Sequence, residues 1–152
     1  MRIAFIKANE CWHLRHKVLR PHQSIEDCDY PNDRNPDSFH LGAVEADRIV
    51  GVGSFYKEKQ ETIMGHIQWR LRGMAIDPDF RGAGVGRQLL LFGMDELKAK
   101  RADVLWCQAR ESAEGFYTKL GFSIKGEPFT LEGIGVHYIM FKSLLATKPS
   151  GA

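Results

Sequence analysis

Residues 81–87 carry the densest chemical signal in the chain: Arg81-Gly82-Ala83-Gly84-Val85-Gly86-Arg87. Glycines at 82, 84 and 86 remove side chains just where the following Gln88-Leu89-Leu90-Leu91 begins to read as a helix. A helix start presents unpaired backbone N–H groups and partial positive charge, so it holds anions, and glycine lets them approach closely. Arg81 and Arg87 flank the corner and add full charges. The stretch reads as a pyrophosphate cradle. It is not a P-loop, because no Lys-Ser or Lys-Thr follows the glycines. Nor is it a dinucleotide fingerprint. Counted from Gly82 the third glycine position is Arg87, and counted from Gly84 it is Leu89.

The elements around the cradle follow from periodicity and turn chemistry. Ile67 to Ile76 reads as a strand, with Trp69 and Leu71 alternating against Arg70 and Arg72, and it ends in the turn Asp77-Pro78-Asp79. From Gly84 to about Lys100 a helix is predicted, because Leu90, Met94 and Leu97 share one face that Val85, Leu89 and Phe92 widen. Upstream, Arg2 to Ala8 reads as a strand, and Asn9 is placed to cap a helix that Pro21 stops beyond Leu19. Residues 24–36 are polar and turn-rich, with acidic Glu26, Asp27, Asp29 and Asp33. Phe39 to Glu45 and Arg48 to Tyr56 form a hairpin through Ala46-Asp47. Downstream come a strand at Val104 to Ala109, a helix at Ser112 to Leu120 and a strand at Phe122 to Gly126. A turn at Gly133 to Gly135 leads to a last strand at His137 to Ser143, and residues 148–152 are expected to fray.

Two segments together resemble one family. Arg81 to Gly86 fits R-x-x-G-x-G after the strand Met74-Ala75-Ile76, and Glu111 to Phe122 resembles A-x-x-[FLY]-Y-x-x-x-G-F, with Gly121 where a helix end favours a left-handed residue. These are similar to the acyl-CoA motifs of the GNAT superfamily of N-acetyltransferases, over roughly residues 39–144. The resemblance implies an α/β (α+β) fold. Its central sheet is mixed and mostly antiparallel, with a splayed parallel strand pair and helices on both faces. It also implies acetyl-CoA as co-substrate, with pantetheine entering between the strands at 67–76 and 104–109. Met74, Ala75 and Ile76 would then supply backbone groups to pantetheine and thioester, and Arg81, Gly82, Ala83, Gly84, Val85, Gly86 and Arg87 would hold the pyrophosphate. The side chains of Met74 and Ile76 read equally as core.

Composition agrees with one domain spanning residues 1–152. Hydrophobic content is 43% and charged content 26%, as in ordinary globular proteins, and the net charge of +2 is spread along the chain, which argues against nucleic acid. No apolar run suits a membrane or a secretory segment. Cys11, Cys28 and Cys107 form neither a metal-ligand spacing nor an even disulfide set, so no metal is expected and a reduced cytoplasm is the natural setting. Cys107 reads as a structural strand residue, and Gly51 and Gly53 as a bulge or close packing rather than a second phosphate site.

Acetyl transfer to an amine needs an oriented pair of reactants, a proton acceptor for the ammonium and a donor for the leaving thiolate. Tyr117 stands where the family places a tyrosine facing the coenzyme sulfur, and its ring could alternatively serve only packing. The proton acceptor stays open. The histone-modifying branch has a glutamate where this chain has Arg70, and Glu45, Asp77, Glu111, Glu127, His66 and His137 are all candidates. His137 follows Gly133-Ile134-Gly135-Val136 in a segment similar to that of a bacterial GNAT subgroup, and is the substrate-contact candidate. Arg110 replaces an asparagine common in the family. With Arg15, Arg20, Arg70 and Arg72 it either composes a site for an acidic acceptor or pairs with the acidic loop. The implied activity is an N-acetyltransferase acting on a small-molecule amine or a peptide, as a monomer or homodimer. The alternative is a CoA-binding regulatory or sensory module with little or no transfer.

Overall fold

The computed structural model describes residues 1–145, so the fraying expected at 148–152 lies outside the described residues. The chain divides into two compact units. The first comprises Met1–Lys57 with Arg70–Gly93, the second Glu58–Trp69 with the chain from Met94 on.

In the first unit the strands β1 (Arg2–Ile6), β2 (Phe39–Glu45), β3 (Arg48–Lys57) and β4 (Gln68–Ile76, from Arg70 on in this unit) lie in that order. The predicted hairpin is present: β2 pairs antiparallel with β3. Ala46 and Asp47 both take positive φ, 50° and 63°, the turn whose twist suits a two-residue hairpin. A register shift between Ala43 and Val44 puts a bulge just before Gly51. Close packing explains Gly51: a Cβ there would stand 2.6 Å from Val85 Cγ1 and 3.2 Å from Leu89 Cδ1, both on the helix α2 (Val85–Ala99). Gly93, one face-turn later, serves the same approach, since a Cβ on it would meet the Phe55 ring at 2.2 Å. Glycine on both elements lets α2 press against β3.

The N-terminal helix differs from expectation. β1 ends at Ile6, and residues 8–19 wind as a 3₁₀ turn (Ala8–Cys11), one α turn, α1 (Trp12–Leu14), and a π turn (Arg15–Leu19). Lys7, not Asn9, occupies the cap position, and the Glu10 carboxylate accepts its N–H at 2.9 Å. The wide last turn carries Arg15 inward, where it is completely buried. Arg15 donates to both oxygens of Asp33 (2.7 and 3.1 Å), to the Cys28 carbonyl (2.8 Å), to Ser54 Oγ (2.8 Å) and to Tyr56 Oη (3.2 Å). Tyr56 donates its hydroxyl to Asp33, and His40 Nδ1 meets Ser54 Oγ at 2.7 Å. Burial lowers the proton affinity of His40 below the usual range, with Asp33 opposing, so it is neutral at pH 7 and makes no ion pair.

Burial pushes the Asp33 carboxyl up, but hydrogen bonds from Arg15 and Tyr56 outweigh it and hold its pKa below the usual 3.8. Removing one partner of such a pair strands a buried charge, so Asp33→Ala should cost about 3–5 kcal/mol in urea unfolding. The pH dependence has a definite sign. A depressed carboxyl pKa contributes stability that is complete above 3.8 and is lost as pH falls through the lower folded value. The variant should therefore lose less stability than the parent on acidification through that window. Equal acid sensitivity of the two chains would remove Asp33 from the linkage.

In the second unit β5 (Val104–Arg110), β7 (Gly135–Ser143) and β6 (Ser123–Leu131) lie in that order, both pairings antiparallel. β6 runs past Gly126, where it was expected to end. Gly126 takes φ +78°, and the β6–β7 register breaks between Lys125 and Phe129, so glycine marks a bulge rather than a terminus. Pro128 is tolerated because β6 lies at the outer edge. Ile63, Val104 and Trp106 form a small core. Asp103 fastens its rim by accepting the backbone N–H groups of His66 (2.6 Å) and Ile67 (3.1 Å). No helix among the described residues is long and apolar enough to cross a membrane.

Candidate active site

The cradle residues lie together in the first unit, on the path from β4 into α2. Asp77 builds the approach. Its Oδ1 accepts the Asp79 N–H at 3.0 Å, its Oδ2 takes Arg48 at 2.7 Å and Lys17 at 3.4 Å, and its own N–H binds the Val50 carbonyl at 2.8 Å. The backbone hydrogen bond from Asp79, aided by Lys17 and Arg48, holds the Asp77 carboxyl below the usual carboxylate range. A carboxylate so engaged is a poor proton acceptor. Asp77 is an anchor for the turn.

Beyond the turn Gly82 and Gly84 adopt φ of +80° and +77°, left-handed conformations that glycine reaches without strain. A Cβ on either would meet nothing within 4 Å, so both positions face open space. The first intrahelical bond of α2 runs from the Gln88 N–H to the Gly84 carbonyl at 3.0 Å. The N–H groups of Gly84, Val85, Gly86 and Arg87 therefore precede the helical ladder at its positive end. Arg81 and Arg87 are exposed beside them, while Val85 and Gly86 are buried. These donors, this charge and this open space fit a pyrophosphate.

β4 contributes differently from its neighbours. Met74 and Ile76 pack their side chains over the β3 glycines, Met74 Cε 3.4 Å from a Cβ on Gly53 and Ile76 Cδ1 3.0 Å from one on Gly51. Both residues are half-buried, whereas Ala75 between them is buried. A feature absent from the sequence reading is Gly73. It takes φ +68° within the strand, directly before Met74. A Cβ there would stand 3.2 Å from Arg15 Nε and 3.4 Å from the Tyr30 ring. Only its place beneath these buried groups marks it, and no local pattern signals that.

Tyr117 and His137 belong to the second unit. Tyr117 lies on α3 (Glu114–Lys119), which a 3₁₀ turn at Glu111–Ala113 precedes. The helix closes as expected around Gly121, at φ +93°. The Phe122 N–H reaches the Tyr117 carbonyl at 3.1 Å and the Gly121 N–H the Thr118 carbonyl at 3.0 Å. This pairing carries its usual apolar contact, the Tyr117 and Phe122 rings meeting edge-on at 5.4 Å. Lys142 Nζ donates to the Leu120 carbonyl at 2.7 Å. The cap thus fixes the Tyr117 ring. Desolvation, with Cys107 second, raises the Tyr117 hydroxyl well above 10, so it stays protonated throughout the neutral range.

His137 is 4% exposed and stands opposite Arg110 across the β5–β7 pair. Its Nδ1 lies 2.9 Å from the Gly135 carbonyl, which can only accept, so Nδ1 carries the hydrogen. In the neutral ring Nε2 is then the basic atom. Phe129 flanks the ring at 5.9 Å. Of the other base candidates, Glu45 binds the N-terminal ammonium at 3.2 Å and His66 is exposed.

Comparison with known proteins identifies the family and the fold. A model of the Acetyltransferase (GNAT) family matches residues 6–122. The uncharacterized N-acetyltransferase YitI of Bacillus subtilis (strain 168) is 35% identical over 148 residues, covering 97% of this chain and 99% of that protein. Among solved structures, an aminoglycoside 6'-N-acetyltransferase complexed with coenzyme A superposes with a TM-score of 0.77 at 16% identity, covering 98% of this chain and all of that one (100%). The ribosomal-protein-S18-alanine N-acetyltransferase from Escherichia coli gives a TM-score of 0.74 at 17% identity, covering 98% and 97%. At these identities the structures speak for the fold, a mixed, mostly antiparallel seven-stranded sheet with one parallel pair and helices. The family match and the near full-length kinship with YitI carry more, because both include the cradle: this chain is an acyltransferase and belongs to the GNAT family of acetyltransferases.

Proposed function

We propose that this protein transfers the acetyl group of acetyl-CoA to a primary amine of a small molecule or peptide. The observation that carries this reading is the glycine corner, with four N–H groups (Gly84, Val85, Gly86, Arg87) ahead of the α2 ladder and open space over Gly82 and Gly84. Bound there, acetyl-CoA supplies an activated thioester. Arg81 and Arg87 add charge to the pyrophosphate, and the backbone of Met74, Ala75 and Ile76 orients the pantetheine. Tyr117, held protonated by its burial, gives its proton to the departing thiolate. His137 contacts the acceptor, with Nε2 as its basic atom.

Calorimetric titration with acetyl-CoA, CoA and ATP tests the cradle, and acetyl-CoA consumption across a panel of amines, amino acids and peptides tests transfer. Acetyl-CoA and CoA should bind and ATP should not compete at equal concentration. Tight CoA binding without consumption on any amine would favour the alternative, a CoA-binding regulatory module. Equal affinity for ATP would overturn both.

A further inference from the structure

The acidic loop does not neutralise all the arginines that approach it. Asp33 is taken by Arg15, Asp29 by Arg34 at 2.8 Å, and Asp27 turns back to accept the Ser24 N–H at 3.3 Å. Arg20 and Arg72 go instead to one aromatic ring. Arg72 Cζ lies 4.0 Å from the Tyr30 ring centroid and Arg20 Cζ 5.4 Å from it. Arg20 Nε also donates to the Tyr30 hydroxyl at 3.2 Å, and its Nη1 to Gln23 Oε1 at 3.2 Å. Tyr30 is itself buried, and Arg20 and Arg72 are half-buried. Three arginines thus face one ring: Arg15, its Cζ 4.1 Å from the centroid, has its charge met by Asp33, whereas the ring orients Arg20 and Arg72 without cancelling theirs. Desolvation and then the neighbouring Arg70 charge lower the proton affinity of Arg72, with Tyr30 and Tyr56 opposing and Arg20 adding to the lowering. An anion placed there would relieve this repulsion.

Strand direction indicates whose anion it is. The cradle follows Ile76, so on the acetyltransferase reading the backbone of Met74, Ala75 and Ile76 would hold the pantetheine, and Gly73 and Arg72 would lie beyond it on the side away from the cradle. Arg72 lies about 7 Å before Met74 at the usual rise of a strand, at the end remote from Arg81 and Arg87. We infer that Arg20 and Arg72, stacked on Tyr30, bind an anionic group (carboxylate or phosphate) on the acceptor, so that the amine acetylated belongs to an acidic molecule. This rests on the acetyltransferase reading and narrows its substrate class. Arginine suits the task, because its planar fork grips both anions through two parallel hydrogen bonds.

The test titrates the full chain with inorganic phosphate and with acetate, following the Arg20 and Arg72 Nε–H and Tyr30 ring signals by NMR. It is joined to turnover of matched amines, O-phosphoethanolamine against ethanolamine and γ-aminobutyrate against its methyl ester. Saturable shifts are expected. Where a pair is turned over, KM should be about 10- to 100-fold lower for the charged member, the worth of one charge-assisted hydrogen bond. Arg72→Gln and Arg20→Gln should each erase shifts and preference while acetyl-CoA affinity holds. Two variants on separate elements keep the test decidable when one fails to fold. A response to phosphate alone or acetate alone supports the inference and names the anion. Unmoved signals with both anions, or equal use of both members of a pair, overturn it, and intact acetyl-CoA binding separates that failure from failure of the cradle. Loss of acetyl-CoA affinity in Arg72→Gln would give the arginines to the coenzyme and overturn it also. A parent chain that binds no acetyl-CoA removes the acetyltransferase reading, and the anion titration still decides the site.

Discussion

A Gly84→Glu chain should fold and fail to bind acetyl-CoA. The position faces open space, so the new side chain clashes with no protein atom. Its φ of +77° adds left-handed strain of roughly 1–2 kcal/mol, which a domain of ordinary stability survives. The carboxylate would project among the N–H groups that the pyrophosphate needs. Two like charges ~4 Å apart repel by about 4 kcal/mol at the effective dielectric of a protein surface, so affinity should drop roughly 10²–10³-fold. Gly84→Ala is the control, sharing the strain without the charge. Calorimetry on both, with circular dichroism to confirm folding, separates the terms. Wild-type affinity in folded Gly84→Glu would move the phosphates elsewhere.

The second large effect concerns turnover. Tyr117→Phe keeps the ring that packs on Phe116 and Phe122 and removes only the hydroxyl. With the tyrosine as proton donor to the leaving thiolate, kcat should fall about 10²–10⁴-fold, the range of a positioned general acid. KM for acetyl-CoA should change little, so kcat/KM falls with kcat. Because burial raises the hydroxyl well above 10, the parent's rate should show no loss from Tyr117 ionisation as pH rises through neutrality. Should Phe at 117 support the parent's rate on its best acceptor, the residue is a packing element and the thiolate leaves with a proton from water.

Much of the candidate site was legible because its signals are local. Gly82 and Gly84 adopt left-handed conformations within a few residues of the helix they open, and the chemistry of that corner depends on backbone alone. Gly121 closes α3 through hydrogen bonds spanning at most five residues, and the α2 face follows a period written in consecutive turns. Where a glycine served a bulge instead of an end, as at Gly126, the local reading stopped the strand too early. The N-terminal helix showed the same weakness in mild form, with Lys7 at the cap and a π turn at Arg15 that no propensity announces.

The arginines mark the boundary between what sequence by itself determined and what the tertiary structure decided. Both fates, pairing with the acidic loop and forming an anion site, were compatible with Arg15, Arg20, Arg70 and Arg72 as a list. Folding divides them by carboxylate rather than by ring: Arg15, Arg20 and Arg72 all face Tyr30, but Arg15 is buried and bound to Asp33, 18 positions away in the chain. A charge finds its partner by burial and through-space distance, and neither is written in neighbouring residues. The same holds for Gly73 beneath Arg15, for Gly93 against Phe55 and for Asp77 between Lys17 and Arg48. Backbone conformation near a turn is a short-range property and could be read directly. Contacts between segments distant in the chain depend on the folded path, and so only the structure decides them.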